Sequence, residues 1–195
     1  MGLWILTNLK LSTNYSYYMI IRQAKRSDIQ QMAEVQVSSW NTTYRGLFPD
    51  DIIDSRTVES RSKNMSTHWK GFEGDEGTRI VLVAETEEKE IVGFSAGGDI
   101  FVKGLPYDGE CYAIYIIKEY QGKGIGALLM KGLAEFLLTL DYRSMIVWVM
   151  EENPACRFYE KIGGVAKERK IDKYGEEEFN LVGYVWENVE TVLKI

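Results

Sequence analysis

A glycine-rich segment that follows a run of β-forming residues has the clearest chemical meaning in the sequence. In "YIIKEYQGKGIGALLMKGLAEFL", residues 115–137, three glycines alternate with other residues between an apolar stretch and an amphipathic one. Glycine lets successive backbone N–H groups turn toward one anion, and the start of a helix adds its dipole. The spacing from Gln121 to Gly126 therefore predicts a pyrophosphate-binding loop between a strand and a helix.

Two other glycine patterns point to different chemistry and are disfavoured. "GFSAG" at 93–97 matches the nucleophile elbow of serine hydrolases, but the only histidine, His68, precedes the serine and no helix is predicted after it. Gly122, Gly124 and Ala127 match the dinucleotide pattern G-x-G-x-x-A. The sequence after Ala127 holds one more α/β unit and a hairpin, which is too little for a two-half dinucleotide domain. No Walker sequence occurs.

Composition excludes several classes of function. The formal net charge is −6, which argues against nucleic acid as a partner and mildly favours a cationic substrate, although solubility is the plainer explanation. No apolar run approaches the roughly 18 residues of a membrane span. Cys111 and Cys156 form no metal or redox pattern. Reduced thiols are typical of a cytoplasmic protein, and no metal site is predicted.

The length of 195 residues predicts one domain with a sizeable core. The first 18 residues contain no signal-peptide pattern, because the apolar run is short and no basic stretch precedes it. We interpret 1–18 as a leader or N-terminal extension and 19–195 as the domain proper. An extra edge strand or helix within 1–18 is an equally good interpretation.

Hydrophobic periodicity from Met19 onward predicts the order β-α-α-β-β-β-α-β-α-β-β. We expect Ser27 to cap the first helix, with Gln30 at the capping-box position. The second helix is predicted from Ile52 to about Trp69, and Asn153 is expected to cap a short later helix. This order indicates a mixed sheet with a parallel part in its second half.

Two segments resemble motifs of a known superfamily. "YAIYIIKEYQGKGIGALLMKGL" resembles motif A of the GNAT acetyltransferase superfamily, whose core reads Q/R-x-x-G-x-G/A. "NPACRFYEKIGG" is similar to its motif B, with alanine one place early and five residues in register: Asn153, Cys156, Phe158, Tyr159 and Gly163. "WNTTYRGLFPDD" resembles the segment between helix 1 and helix 2 of many bacterial members.

The element order also matches from about Met19 to Trp186, so the resemblance covers most of the chain. It implies an α/β fold of mixed α+β type, the GNAT acyl-CoA N-acyltransferase fold. That fold has a mostly antiparallel sheet of about seven strands, splayed in the middle, with helices on both faces. The implied activity is transfer of acetyl from acetyl-CoA to a primary amine by direct attack in a ternary complex.

The resemblance also implies which residues bind acetyl-CoA. The N–H groups of 121–126 would bind the pyrophosphate, and the backbone of Ile116 and Ile117 would pair with pantetheine like an added strand. Asn153 and Tyr159 would meet the pantetheine arm and the sulfur. The implied cofactor-binding set is Ile116, Ile117, Gln121, Gly122, Lys123, Gly124, Ile125, Gly126, Ala127, Asn153 and Tyr159.

The implied reaction needs a base, an oxyanion donor and an acid. A protonated amine with a pKa of about 10.4 must lose a proton before it attacks. Glu110 is the first candidate base, because many relatives use a carboxylate at the start of this strand through water, and Asp99 is the second. A strand N–H near Ile116 is the implied oxyanion donor. Tyr159 is the implied acid, because phenol and thiol pKa values lie within about two units.

Plainer roles remain open for both catalytic candidates. Glu110 fits a solvated strand end, and Tyr159 fits a core aromatic beside Phe158. Regular strand alternation predicts that Glu110 shares a face with Tyr112, Ile114 and Ile116.

The acceptor site is implied to lie over Trp40, Tyr44 and the loop 45–51. Asp50 and Asp51 in this loop would suit a cation, so a polyamine such as spermidine is one hypothesis and a peptide N-terminus or lysine is another. Trp40 at helical spacing also fits a core position.

A second class of function stays open beside the enzyme. The same fold would also suit a catalytically idle, CoA-binding regulatory module, although the presence of Tyr159 favours the enzyme. Pairing of the final strands across subunits would be compatible with a homodimer. Neither nucleic acid nor membrane is an expected partner.

Overall fold

One mixed eight-stranded sheet organises the structure. The computed structural model describes residues 4–10, 16–73, 77–101, 104–174 and 177–195. The strand order is β1-β2-β3-β4-β5-β6-β8-β7, and only β5 and β6 pair in parallel. The strands are Trp4–Lys10 (β1), Ser16–Gln23 (β2), Arg79–Thr86 (β3), Ile91–Asp99 (β4), Gly109–Ile116 (β5), Met145–Met150 (β6), Val165–Tyr174 (β7) and Glu177–Trp186 (β8).

Helices cover both faces of the sheet, as predicted. Residues of α5, α6 and the C-terminal 3-10 helix pack with the sheet in the larger core cluster, whereas residues of α1, α3 and α4 pack in the smaller cluster on the other face. The helices are Ile29–Thr43 (α1), Asp50–Asp54 (α2), Val58–His68 (α3), Lys70–Glu73 (α4), Ile125–Thr139 (α5) and Cys156–Lys161 (α6), with 3-10 turns at Arg26–Asp28, Lys118–Tyr120 and Val189–Lys194.

The predicted splay in the middle of the sheet is confirmed. Strands β5 and β6 pair only from Gly109 to Cys111, against Met145 to Val147. Beyond Cys111 no partner in the described part of β6 faces β5. The edge of β5 is therefore open over its second half, at the carboxyl ends of the two parallel strands. Ligands in α/β sheets bind preferentially at such ends.

Small residues in β4 let α5 lie close to the sheet. A Cβ atom on Gly97 would stand 2.6 Å from a methyl carbon of Leu133 and 2.7 Å from the carbonyl of Glu110. Ser95 is 1% exposed, and its strand continues to Asp99 without a helix. The "GFSAG" segment is thus a helix-packing site, and the rejection of a nucleophile elbow is confirmed.

A β-bulge interrupts the alternation of β5. Ala96 pairs with Ala113 whereas Gly97 pairs with Cys111, so Tyr112 is the extra residue. Tyr112 packs in the α1-side cluster, whereas Ile114 and Ile116 pack in the α5-side cluster. The predicted common face of Glu110, Tyr112, Ile114 and Ile116 is therefore wrong, because the bulge reverses the phase of the strand.

A buried ion cluster joins the start of α1 to the sheet. Arg22 on β2 donates to both carboxylate oxygens of Asp28, at 2.6 and 3.1 Å, and also pairs with Glu85 of β3. Asp28 in turn accepts from the backbone N–H of Lys25 at 2.7 Å. The predicted cap by Ser27 is wrong, because the helical segment begins earlier, with a 3-10 turn whose N-cap is Lys25, and the Asp28 carboxylate binds the N–H of that N-cap.

Two further predictions about local structure need correction. The helix expected from Ile52 to Trp69 is divided, because α2 ends at Asp54 and Thr57 caps α3 by accepting from the Ser60 N–H at 3.1 Å. The C-terminal 3-10 turn was not predicted. Helix α6 begins at Cys156, and Asn153 stabilises the turn before it by accepting from the Ala155 N–H at 2.8 Å.

The N-terminal segment contains an additional strand at the edge of the sheet. Strand β1 pairs antiparallel with β2 over Trp4 to Lys10, while 1–3 and 11–15 lie outside the described residues. Strand β2 begins at Ser16. The interpretation of 1–18 as a leader, with the domain opening at Met19, stays a prediction.

Candidate active site

The glycine-rich loop presents unpaired donors at the start of α5. Gly122 and Gly124 have φ of 70° and 83°, a region that glycine adopts without steric cost. The first intrahelical bond of α5 runs from the Leu128 N–H to the Gly124 carbonyl at 3.2 Å. The N–H groups of Ile125, Gly126 and Ala127 therefore have no acceptor within the helix. These donors and the helix dipole form a site suited to a phosphate group.

Helix α6 packs directly on the start of α5. A Cβ atom on Gly126 would lie 3.0 Å from the Phe158 ring, so glycine here permits the close approach of the two helices. Ile125 is buried beneath the loop, and the Lys123 ammonium lies over the Tyr120 ring at 5.0 Å. The predicted loop residues are thus brought together beside motif B.

The open edge of β5 directs the backbone of Ile116 into the splay. The Ile117 N–H donates to the Val92 carbonyl on β4 at 3.0 Å. The Ile117 carbonyl accepts from the Tyr120 N–H, also at 3.0 Å. Because backbone directions alternate along a strand, Ile116 points the other way. The Gln121 side-chain amide donates to the Ile116 carbonyl at 3.0 Å. Of the predicted pair, Ile117 is engaged within the protein and Ile116 faces the gap.

Asn153 and Tyr44 meet across the splay from opposite faces of the sheet. Asn153 is 4% exposed; its Oδ1 accepts from the Ala155 N–H, and its side chain lies near enough to the Tyr44 hydroxyl to affect the pKa of that phenol. Burial raises the pKa of Tyr44, and the nearby Tyr115 hydroxyl raises it further, against the opposing effect of Asn153. A residue from the predicted acceptor segment therefore reaches a residue of motif B.

Tyr159 has a core ring and a hydroxyl with no partner among the described residues. Its ring lies 5.7 Å from Tyr184 and 6.3 Å from Trp186, centroid to centroid, and the residue is 4% exposed. Burial raises its pKa well above the ordinary value, and the neighbouring Cys111 and Tyr44 add to this. Tyr159 is thus both a core aromatic and a phenol that stays protonated beside the splay.

An aromatic cluster lines the α1 side of the splay. The Trp40 ring lies 4.4 Å from Tyr44, and its indole N–H donates to the Tyr115 hydroxyl at 3.2 Å. Phe48 contacts both Trp40 and Tyr44 and reaches across to Phe179 of β8, at 4.2 Å between ring centroids.

A protein cation already covers the Trp40 ring. The Arg56 guanidinium carbon lies 3.5 Å from the ring centroid, a cation–π arrangement. Trp40 is itself buried. The face of the indole that a substrate ammonium would use is therefore occupied, and Tyr44 is the more accessible of the two predicted aromatic residues.

The acidic residues of the predicted acceptor loop are exposed to solvent. Asp50 and Asp54 pair with Arg45 at 3.0 and 2.7 Å, all on exposed side chains. Asp51 is also exposed. The structure does not bring Asp50 or Asp51 together with Tyr44 and Tyr159, because α2 leaves them on its outer surface.

Glu110 lies at the other end of β5 and is buried. It is 7% exposed, and its Oε2 accepts from the Phe101 N–H at 2.9 Å. Burial raises the pKa of Glu110, and this outweighs the Phe101 hydrogen bond and the Lys170 charge, which lower it. A carboxyl with a raised pKa is suited to proton transfer near neutral pH. A solvated strand end is excluded by this burial.

Asp99 is more firmly engaged than Glu110. Its Oδ1 accepts from the Tyr142 hydroxyl at 2.7 Å, and its backbone carbonyl accepts from the Tyr112 hydroxyl. Asp99 ends β4 opposite Gly109 at the start of β5, so the two candidate carboxylates lie at the same end of the sheet, and Glu110 is the buried one.

Several residues around the site escaped the sequence analysis. Their signal was weak, because an isolated aromatic or basic residue in a strand or loop has many roles. The structure adds Phe48, Arg56, Phe101, Tyr115, Lys170 and Phe179. Tyr115 was the easiest of these to find from the sequence. It lies between Ile114 and Ile116 in the strand before the loop, so alternation places its side chain on the opposite face of the sheet from theirs.

Three general expectations concern metals, thiols and membranes. Within the described ranges, no group of three His, Cys, Asp or Glu residues is placed to hold a metal ion. Cys111 and Cys156 are free thiols. The described helices include none with the length and apolar character needed to cross a bilayer.

Comparisons with known proteins agree with this geometry. A family model described as "Acetyltransferase (GNAT) family" matches residues 20–164. The N-acetyltransferase YuaI of Bacillus subtilis is 38% identical over 164 residues, which are 84% of this chain and 86% of YuaI. An N-acetyltransferase of Archaeoglobus fulgidus is 32% identical over 146 residues, 72% of this chain and 89% of the relative.

Solved structures of similar fold were crystallised with coenzyme A. The PaiA N-acetyltransferase of Thermoplasma acidophilum, in complex with coenzyme A, superposes with a TM-score of 0.61 at 20% identity and covers 84% of this chain and 97% of its own. YncA of Salmonella typhimurium, with its cofactor acetyl-CoA, gives 0.60 at 18% identity over 86% and 92%. With its fold, its glycine-rich loop and these relatives, the chain belongs to the GNAT family of acetyltransferases.

Proposed function

We propose that this acetyltransferase binds acetyl-CoA in the splay between β5 and β6 and transfers the acetyl group to a primary amine. The observation that supports this most is the continuity of two donor sets, the open edge of β5 at Ile116 and the unpaired N–H groups at the start of α5. The first set suits an extended amide-bearing arm, and the second suits a pyrophosphate. The donor supplies an acetyl thioester that an amine can attack.

Ile116 and Gly126 would hold neighbouring parts of the donor, the pantetheine arm and the pyrophosphate. The backbone of Ile116, which points into the gap, would hydrogen-bond the pantetheine arm and stabilise charge on the acetyl oxygen. The loop from Gln121 to Ala127 would bind the pyrophosphate, with Gly126 leaving room beside Phe158. Asn153 would orient the arm where it passes Tyr44.

Glu110 would accept the proton of the incoming amine through water, and Asp99 is the second candidate. Burial supports Glu110, because a raised pKa brings a carboxyl closer to the pH at which it works. Tyr159 would supply a proton to the departing thiolate. Its raised pKa keeps it protonated and its hydroxyl is unpaired, which supports a donor role.

The acceptor would lie on the α1 side, against Tyr44, Trp40 and the segment that includes Asp50 and Asp51. The aromatic lining supports an amine with an apolar body, and the acids are the feature that supports a polyamine. A panel of spermidine, arylalkylamines, amino acids and peptide N-termini, read out by CoA release, tests this. Turnover of peptides with none of spermidine would overturn the polyamine hypothesis.

Donor binding is tested separately by thermal unfolding with and without acetyl-CoA. A ligand that binds only the folded state at about 100 times its Kd stabilises by about 2.7 kcal/mol, so a clear rise in Tm is expected. No rise at saturating acetyl-CoA would contradict the proposal. A rise without turnover of any acceptor would favour the alternative, a non-catalytic CoA-binding module. We also propose a cytoplasmic location, and size-exclusion chromatography with light scattering tests the proposed homodimer.

A further inference from the structure

The half-exposed Phe101 occupies an unusual position after β4. Its side chain is 55% exposed, yet the ring is held on both sides. The Tyr112 ring stacks on the Phe101 ring, with 4.2 Å between the centroids. The guanidinium carbon of Arg79, which is on β3, lies 4.6 Å from the centroid of the Phe101 ring. A large apolar side chain that is exposed but fixed indicates that its backbone position matters.

That backbone position carries the hydrogen bond to Glu110. The Phe101 N–H donates to Glu110 Oε2 at 2.9 Å, and it is the donor that the described residues supply to this buried carboxylate. Tyr112 lies two residues after Glu110, on the same face of β5, and so brings its ring next to Phe101. The stack and the amide therefore converge on one carboxylate.

The far end of the same connection is anchored too. The Tyr107 hydroxyl donates to Glu168 Oε1 at 2.7 Å on β7, and Asp108 Oδ2 accepts from the N–H groups of Arg143 and Ser144 at 2.8 and 3.0 Å. The residues that flank 102 and 103 are thus fixed to three different parts of the fold. A fixed frame is what a backbone donor needs in order to position a side chain.

We infer that Phe101 is a positioning residue for acetyl transfer, and that its backbone N–H holds the Glu110 carboxylate in the orientation and ionisation state that proton removal requires. This inference rests on the proposed role of Glu110 as the base. The Phe101 ring acts through its stack on Tyr112, which fixes the amide, and touches no reacting atom in the inference.

The charged and titratable groups around Glu110 set the direction of the expected pH effect. Lys170 of β7 is the cation near Glu110. Tyr112 lies on β5 with Glu110, and Asp99 lies on β4. Arg79 lies beyond Tyr112. The Phe101 hydrogen bond and Lys170 both favour the ionised carboxyl against burial. Loss of the Phe101 N–H therefore raises the pKa of Glu110, and the acidic limb of kcat/KM moves to higher pH.

The test removes the N–H and leaves the side chain. Replacing Phe101 by its α-hydroxy analogue, 3-phenyllactic acid, through nonsense suppression converts the amide into an ester. We expect the acidic limb to shift upward by about one pH unit, as for the loss of one hydrogen bond to a charged group, with acetyl-CoA affinity unchanged. Phe101→Pro, which also lacks the N–H, should shift in the same direction.

The matched control is Phe101→Ala, which keeps the N–H and loses the stack. The acidic limb of its kcat/KM pH profile should stay within about 0.3 pH unit of wild type, a twofold change in the ionisation constant. The maximal kcat of this variant should be lower. Glu110→Gln, assayed with the same acceptor, separates the hypothesis that Glu110 is the base from the hypothesis that Phe101 positions it. If Glu110→Gln retains activity, the proposed base is wrong. If Glu110→Gln is inactive but the ester leaves the limb in place, the positioning role of Phe101 is overturned.

Discussion

The two sides of the splay are built from different kinds of groups. On the α5 side, glycines and backbone N–H groups stand on a core in which residues such as Leu129 and Leu133 are fully buried. On the α1 side, aromatic rings and ion pairs line a partly exposed surface, with Phe48 bridging to Phe179. A ligand would meet fixed backbone on the first side and adaptable side chains on the second. Substitutions should therefore separate donor binding from acceptor use.

The largest effect is expected at the ion cluster that holds α1 against the sheet. Arg22→Met leaves the carboxylates of Asp28 and Glu85 buried without their partner, and breaking a buried pair in this way costs about 3–5 kcal/mol. Urea unfolding measures this loss. Arg45→Met, which breaks only exposed pairs, is the control and should cost less than about 1 kcal/mol.

The same cluster predicts loss of stability in acid. Burial is the largest influence and raises the pKa of both carboxyls, but Arg22 together with Lys25 at Asp28 and with Lys89 at Glu85 outweighs it. The pKa of Asp28 and of Glu85 therefore lies below the ordinary values of 3.8 and 4.5. A depressed carboxyl pKa contributes stability above the unfolded pKa and loses it as the pH falls through the folded one. Unfolding free energy should therefore decline below about pH 4.5, and by less in Arg22→Met. An equal decline in both proteins would contradict the assignment.

The next effect concerns the donor side at α6. Tyr159→Phe removes the unpaired hydroxyl and keeps the buried ring, so we expect kcat to fall about 100-fold, within the range for loss of a general acid. Acetyl-CoA affinity, measured by calorimetry, should stay unchanged. Tyr184→Phe, which removes the hydroxyl that donates to Glu160, is the control. Equal losses in the two variants would indicate a packing role.

A pair of matched glycines tests the separation directly. Gly122 and Gly46 both have positive φ, 70° and 87°, and open space where a Cβ would stand. Alanine at either position costs about 1–2 kcal/mol in backbone strain. Gly122→Ala should raise the KM for acetyl-CoA about tenfold, as 1.4 kcal/mol of lost binding would, and Gly46→Ala should raise only the KM for the acceptor. If both changed the acetyl-CoA KM alike, the two sides would not act independently.

The smallest effect is expected at the exposed acids of α2. Asp50→Asn removes one partner of Arg45, and the side chain is 71% exposed, where ion pairs contribute about 0–1 kcal/mol. We expect less than a threefold change in the KM for spermidine, and the same for Asp51→Asn. A tenfold rise would show that these acids bind the acceptor, as the sequence suggested, and that the aromatic lining is not sufficient.

The sequence predicted the geometry of the glycine-rich loop well because that geometry depends on the backbone. Glycine spacing from Gly122 to Gly126 reports directly on φ and on close approach, and both were found where expected. The order of elements along the chain followed from hydrophobic periodicity, and the splay followed from the resemblance. The acceptor side depends on which side chains face each other across 70 or more positions, as Trp40 and Tyr115 do, and no local pattern encodes that.

Two errors have the same physical origin. Regular alternation placed Glu110, Ile114 and Ile116 on one face, and a regular capping box placed the helix start at Ser27. In each case one residue shifts the local pattern, Tyr112 by bulging and Asp28 by binding the Lys25 N–H, which makes Lys25 the N-cap. The pattern of residue types alone does not encode such single-residue shifts.

The bulge at Tyr112 also divides β5 into two half-strands of opposite phase. Before it, odd-numbered Cys111 packs under α5; after it, even-numbered Ile114 and Ile116 do. A scan of tolerated substitutions along β5 should therefore change parity at Tyr112. A substitution in one half does not change which side chains of the other half face α5 and which face α1. The end that carries Glu110 is therefore free to diverge while the end beside the glycine-rich loop is retained.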